Sequence, residues 1–387
     1  MVAHPTTVAM STSGMATTNA FNGSMANDLP PLPTYSLQPM PDLLPGLISD
    51  FWLVIIAPHI AYWLVSLFFH LIDIYDVFPQ YRLHTPEEIS QRNLASRYQV
   101  ARDVVIEQII QMLTTALLSL TEPTQMTGME NYEVAVWATR IRVAQGVLPT
   151  MLGLLGLNAA AISKNMSASH PLLAGALAGG HYPFLTARLD TTTSVPAFAT
   201  WELNLAKAIY WLVIPAFQFW IATVFMDSWQ YFWHRAMHVN KWMYTHWHAR
   251  HHRLYVPYAY GALYNHPVEG FVLDTAGAGL AYKLSMMSPR MSLFFFVFST
   301  TKTVDDHCGY SLPWDPLQHI TSNNAAYHDI HHQSWGIKTN FSQPFFTIWD
   351  RWLGTMWKGD TTLKYERTKE NARIKSEKKA GLDVKAQ

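Results

Sequence analysis

One run constrains this chain more than any other: ISDFWLVIIAPHIAYWLVSLFFHLIDIY, residues 48–75, apolar almost throughout, with Asp50 and Asp73 near its ends. A helix crosses the bilayer with about 20 apolar residues at 1.5 Å each, and this run is long enough. Pro58 kinks such a helix without excluding it, because membrane surroundings re-satisfy the freed backbone group. A buried core helix is the alternative reading. Composition favours the membrane. Apolar residues make up 49 % of the chain and charged residues 14 %, where about a quarter is usual for soluble proteins. There are 15 Trp, 18 Tyr and 19 Phe. The formal net charge is zero, so no global field draws nucleic acid.

Further apolar runs follow. DVVIEQIIQMLTTALLSL (103–120) carries Glu107, Gln108 and Gln111 and either crosses the bilayer or lies in its interface. VAQGVLPTMLGLLGLNAAAIS (143–163) is apolar but broken by Gly and Pro, and residues 121–200 read as an inserted segment. LAKAIYWLVIPAFQFWIATVFMDSWQYFW (205–233) is a strong span. FVLDTAGAGLAYKLSMMSPRMSLFFFVFSTTKTV (271–304) reads as a hairpin of two shorter helices broken at Ser288-Pro289-Arg290. A hairpin leaves and returns on one face, so polar segments on either side of it share that face. Arg235, Lys241, Arg250, Arg253 and the basic tail fall there, which the positive-inside tendency makes cytosolic. The Arg-bearing loop at 82–102 joins them, the N-terminus is then lumenal, and an odd count of five spans follows. Residues 1–45 are rich in Ser, Thr, Ala and Pro, with no basic n-region, and are expected to be disordered rather than a signal peptide. Residues 358–387 read as a solvated basic tail, and 46–357 as the membrane domain.

Histidine carries the chemistry. The chain holds 18, and they cluster. His234 and His238 are four apart; HARHH presents His248, His251 and His252; HDIHH presents His328, His331 and His332. Residues three and four apart share a helix face, so each triplet is expected to aim its three rings together. At the chain's own His frequency, two H-x-x-H-H motifs arise by chance in roughly one chain in a thousand. One ion rarely takes more than six ligands, so eight imidazoles point to two metals. His307 in DDHCGY and His266 in LYNHPVEG flank the hairpin and are candidate ligands too, with an outer, ligand-orienting role as the alternative. His246 and His319 are ambiguous. His4, His59, His70, His84, His170 and His181 lie outside the clusters and are expected to have no metal role. The single Cys308 excludes an internal disulfide and thiolate metal sites. So many ligands exceed a closed structural zinc site or a three-ligand zinc hydrolase. Clusters outside the spans argue against a metal transporter, whose ligands lie within them. Two irons beside membrane spans suit oxygen-dependent attack on a lipid C–H bond.

HRAMH, HARHH, NHPVEG, DDHCGY and NNAAYHDIHH together resemble the fatty acid hydroxylase superfamily of membrane di-iron enzymes. Through HHRLYVPYAYGALYNHPVEG and YHDIHHQSWGIKTNFSQPFFTIWDRWLGTMW the sequence is most similar to the sphinganine C4-hydroxylases of fungi and plants. The resemblance spans roughly 45–120 and 200–360. It implies an all-α integral membrane bundle of four to five spans with a cytosolic, His-rich dimetal cap, in the endoplasmic reticulum. It implies two Fe ions held by His234, His238, His248, His251, His252, His328, His331 and His332, with His266 and His307 as further ligands. It implies O2-dependent hydroxylation of sphinganine, or dihydroceramide, at C4 to give phytosphingosine. Electrons would come from NAD(P)H through cytochrome b5 and its reductase. No H-P-G-G haem signature is present, so that donor is expected to be a separate protein. A sterol C4-methyl oxidase or a lipid desaturase would use the same site. Tyr255, Tyr258, Tyr260 and Tyr264 are expected either to line a lipid channel or to be interfacial aromatics. Asp305, Asp306 and Asp329 could orient imidazoles. Asn265, Glu269, Asn323 and Asn324 could meet the substrate's polar head.

Overall fold

The computed structural model describes residues 29–188 and 193–386. They form an α-helical membrane protein whose only sheet structure among the described residues is in very short strands. Three helices are long and apolar enough to cross a bilayer: α1 (Asp50–Ile74), a second from Arg97 to Leu120, and a continuous helix Thr200–Val239. A fourth crossing follows if Glu130–Leu154 and Ala159–Met166, bent by 114°, form one broken span. The chain is thus multi-pass. The fifth crossing expected from the sequence is not reached by length and composition. The returning hairpin helix, Pro289–Asp306, carries Arg290, Lys302, Asp305 and Asp306 and so lacks a charge-poor window.

The chain divides into two compact units. The smaller contains residues 126–213 with the N-terminal stretch to residue 38, and takes in most of the segment 121–200 that reads as an insertion. It is built from α4 (Glu130–Gln145), α5 (Leu148–Leu154), α6 (Ala159–Met166), α7 (Pro171–Leu177) and α8 (Thr200–Ala208). Its centre is an ion pair between buried Arg142 and Glu202, with Gln145 Nε2 donating to Glu202 Oε1 at 2.7 Å. Two buried charges are stable only when paired and bonded like this.

The larger unit holds residues 39–125 and 214–387. It adds α2 (Pro86–Arg92), α3 (Arg97–Leu120), α9 (Ile214–Val239), α10 (Lys241–His246), α11 (Pro267–Gly270), α12 (Gly277–Ser285), α13 (Pro289–Asp306), α14 (Leu317–Ile320), α15 (Ala325–His332), α16 (Ile348–Trp352) and α17 (Thr362–Ala386). α1 packs along α13, and α9 along α12. The outer face of α1 exposes Ile60, Leu64, Phe68 and Leu71, as a lipid-facing helix must when the apolar solvent is lipid. The hairpin breaks where the sequence places it. Ser288 caps α13 by accepting from Met291 N–H at 3.2 Å, with Pro289 at the first helical position.

Of the segment 1–45 expected to be disordered, residues 1–28 lie outside the described residues. The end of the remainder is tied to α1. Asp50 N–H donates to Asp42 Oδ1 at 2.9 Å, and Arg290 Nε donates to Asp50 Oδ2 at 2.6 Å. The basic tail is the helix α17, packed against α2 at its start, where Tyr365 O–H donates to Asp329 Oδ2 at 2.5 Å.

Candidate metal centre

α9 delivers His234 and His238 one turn apart at its C-terminal end. The segment 248–253 is a tight 3₁₀ turn that delivers His248, His251 and His252, and α15 delivers His328, His331 and His332. His307 follows directly after α13. These nine rings form two groups. His234, His238, His248, His252 and His331 make one; His251, His307, His328 and His332 make the other. Within each group the ligand atoms lie within 4.8 Å of one another.

The grouping corrects the expectation that each triplet serves one site. His248 and His252 join the first group while His251 joins the second; His328 and His332 join the second while His331 joins the first. Successive residues diverge by about 100° around an α-helix, so adjacent rings such as those of His331 and His332 face different groups. The triplets interlock the two groups.

The geometry fits metal ions. Nε2 of His248 lies 2.6 Å from Nε2 of His238 and 2.9 Å from that of His252. Nε2 of His328 lies 3.1 Å from that of His307 and 3.2 Å from that of His332. Nε2 of His234 and of His331 is buried without any partner. On the other side of the rings, Nδ1 of His234, His331, His332 and His307 donates to the carbonyl oxygens of Phe341, Thr339, Leu254 and Thr303 at 2.9, 2.7, 2.9 and 2.8 Å. His251 Nδ1 donates more weakly to Tyr264 O, at 3.3 Å. A neutral imidazole that donates through Nδ1 has only a lone pair at Nε2. Crowded lone pairs repel unless a cation lies among them. Ligands about 2.1 Å from one ion sit up to about 4 Å apart, close to the spread seen.

Burial and the neighbouring rings push His248, His252, His328, His331 and His332 well below their ordinary value of 6.5. The same causes bring His251 to about 3; burial chiefly brings His307 to about 4. All are therefore neutral at physiological pH, the form that binds metal. His248 Nδ1 contacts Glu269 Oε1. Burial raises that carboxyl well above its ordinary range and lowers the imidazole.

His266 belongs to neither group. It precedes Pro267 at the N-cap of α11, and its Nδ1 accepts from Val268 N–H at 3.2 Å, which turns the ring toward its own helix. His246 and His319 are exposed outside both groups. Asp305, Asp306 and Asp329 touch no ligand ring. Asp306 pairs with Lys302, Asp305 accepts from Gln318, and Asp329 bonds His84, Gln333 and Tyr365. Tyr258, Tyr260 and Tyr264 pack in the core beside Tyr62 and Val304. Asn324 caps α15, and Asn323 bonds Asp306 and Pro344 O.

Sequence reasoning missed four supports. Glu269 holds a ligand ring instead of awaiting substrate. His84 joins Asp329 and Glu88 at 3.0 and 3.1 Å behind α15. Asp350 accepts from Phe341 N–H and Ser342 N–H at 3.1 and 2.7 Å, and Asp227 accepts from Phe345 and Phe346 N–H at 2.9 and 2.7 Å. Together these carboxylates pin the loop whose carbonyl at Phe341 orients His234.

Beside the metal groups is a cavity lined by His234, His248, His251, His307 and His328 with Asp274 and Thr303. A second, largely apolar cavity is lined by Ile55, Tyr62, Leu118, Met226 and Phe296, again with Asp274 and Thr303. The two meet at those shared residues.

Residues 219–355 match the fatty acid hydroxylase family. The sphingolipid C4-hydroxylase of Saccharomyces cerevisiae is 40 % identical over 327 residues, 84 % of this chain and 77 % of the yeast chain. Sphinganine C4-monooxygenase 1 of Arabidopsis thaliana is 38 % identical over 80 % of this chain and 88 % of its own. A very-long-chain aldehyde decarbonylase of Oryza sativa is 60 % identical over 144 residues, 37 % of this chain and 56 % of its own. No solved structure matches. The chain belongs to the fatty acid hydroxylase family, alongside its sphingolipid C4-hydroxylases.

Proposed function

We propose that this protein hydroxylates the sphinganine long-chain base at C4, giving phytosphingosine. The observation that carries the reading is the junction of two cavities. One is apolar and framed by α1, α3 and α13; the other is lined by the imidazoles; both include Asp274 and Thr303. A saturated alkyl chain occupies the first while its polar end reaches the second. Two Fe ions would be held by His234, His238, His248, His252 and His331, and by His251, His307, His328 and His332. Bound there, iron supplies the activation of dioxygen for oxidation of an unactivated C–H bond, which no side chain performs alone. The chain's own residues keep the rings neutral, turn the Nε2 atoms of His234, His251, His307, His331 and His332 inward through Nδ1 bonds to carbonyls, and exclude bulk water by burying the rings. Electrons would come from NAD(P)H through a separate cytochrome b5 and its reductase. The active face is cytosolic on the endoplasmic reticulum, in keeping with Arg235, Lys241, Arg250 and Arg253 beside it.

The likeness to the decarbonylase covers 37 % of the chain, whereas the likeness to the yeast C4-hydroxylase covers 84 % of it. A desaturase would share the first hydrogen abstraction and lose a second hydrogen. The test is expression in membranes lacking sphingoid hydroxylase, with sphinganine and NADPH supplied and products read by mass spectrometry beside a His331→Ala control. One added oxygen at C4, absent in the control, is expected. Loss of two hydrogens, or altered sterols with sphinganine untouched, would overturn the reading.

A further inference from the structure

Asp274 and Glu269 line the imidazole cavity and Glu107 stands against Gly270 next to Glu269, and among the described residues none of the three forms an ion pair with Lys or Arg. Asp274 lines both cavities. Gln230 Nε2 donates to its Oδ1 at 2.8 Å and Asn265 Nδ2 to its Oδ2 at 3.3 Å, which fixes the carboxyl in place. Glu269 lines the imidazole cavity, is 1 % exposed, and its Oε2 has no hydrogen-bond partner. Glu107, on α3, is also 1 % exposed with an unpartnered Oε2. Its carboxyl occupies the space beside Gly270, where a Cβ would collide with it.

Asp274, held by two amide donors and open to both cavities, presents a fixed acceptor at their junction. A protein that only needed packing here would be more stable with apolar side chains. The unpartnered Oε2 of Glu269 and the carboxyl of Asp274 facing both cavities suit an occupant that brings a cationic hydrogen-bond donor. Transition metal is better served by the neighbouring imidazole groups, which together offer nine ligands of the kind it favours. The cation must instead arrive with the occupant of the apolar cavity.

On the functional reading above, on which this inference rests, we propose that Asp274, backed by Glu107 and Glu269, binds the protonated 2-amino group of a free sphingoid base. The amine is separated from C4 by only three bonds, so a group that grips it beside the imidazoles places C4 at the metal groups. The alkyl chain beyond C4 then runs into the apolar cavity past Leu118 and Phe296. An N-acyl base has no charge at this position and carries a second chain, so the free base is the preferred substrate. Asp274 is thus a specificity-determining residue: it selects an amine over an amide.

The test is equilibrium binding of radiolabelled sphinganine and of N-acetylsphinganine to the metal-loaded protein in detergent, with hydroxylation of each followed in parallel. The wild type is expected to bind the free amine at least tenfold tighter than the amide. Asp274→Asn, which keeps size and hydrogen bonding but removes charge, is expected to bring that ratio close to one. Glu107→Gln, at a carboxyl that accepts from Gln111 and not from an imidazole, is expected to lower it severalfold and serves if the first variant does not fold. A wild type without preference for the amine, or a ratio unmoved in both variants, would overturn the subsite while sphinganine hydroxylation stands. A wild type that binds and hydroxylates neither compound would overturn the functional reading itself, and the subsite with it.

Discussion

Removing the charge of Asp350 should loosen one metal group more than the other. The side chain is fully buried. It accepts from Phe341 N–H at 3.1 Å, Ser342 N–H at 2.7 Å, Tyr327 O–H at 2.8 Å and Thr355 O–H at 2.5 Å. The first two bonds hold the strand of chain whose Phe341 carbonyl orients His234; Thr339, whose carbonyl orients His331, is two residues earlier. Both rings belong to the five-His group, and neither to the other. In Asp350→Asn, one amide oxygen still accepts, but the NH2 group faces donors. Leaving a buried donor unsatisfied costs about 1–3 kcal/mol, so one or two orphans amount to about 3 kcal/mol. In a chain of 387 residues that lowers Tm by about 4 °C. Loss of the support behind a ligating imidazole weakens metal binding by about 10- to 100-fold. The assay is metal content by mass spectrometry during a chelator titration, with thermal melting alongside. Metal should leave in two phases, the first at lower chelator than in the wild type and the second little changed. A single unshifted phase with an unchanged Tm would refute the argument that this loop holds the five-His group.

His331→Ala should abolish retention of metal by the five-His group, whereas His266→Ala should leave metal content intact and cost about 1 kcal/mol as a lost helix cap; equal metal loss in both would return His266 to the ligand set. The His84 network should give a pH-dependent melt. Burial lowers the pKa of His84, but the charge of Asp329 and bonds to Asp329 and Glu88 outweigh it and raise the ring from 6.5 to about 9. Burial likewise raises Glu88, but His84 and Thr85 outweigh it and bring the carboxyl from 4.5 down to about 2. A raised His contributes stability in full below its unfolded pKa and loses it as pH rises through the folded one, so Tm should fall between about pH 6.5 and 9. His84→Gln should flatten that slope, and an equal slope in the variant would count against the network.

Much of this architecture is legible in the sequence because periodicity and length are local. The run at 48–75, the hairpin break at Ser288-Pro289 and the clustering of eight of the nine grouped rings follow from spacing alone. His307 follows from its place beside the hairpin. What escapes is decided by long-range packing. His84 meets Asp329 across 245 residues of chain, so no window around either could link them. Glu269 and His266 sit in one short motif, and only the turn into α11 decides that the glutamate reaches a metal ligand while the histidine caps the helix. The splitting of each H-x-x-H-H between two groups was also hidden. Face sharing within a helix says which rings are neighbours, not that a second triplet interlocks with the first. The stretch FSQPFFTIWDRW looks like packing and contributes, through Asp350, the hold on two ligands' orientation.

The central claim is oxidation of a lipid carbon by a two-metal, all-imidazole site. The most direct measurement supplies the purified, iron-loaded protein with sphinganine, a reducing partner and ¹⁸O2, and reads product mass together with iron per chain. Phytosphingosine carrying a single ¹⁸O at C4, made by protein with two irons per chain, is expected. Oxygen drawn from water, or full activity in protein that holds one iron or none, would contradict it.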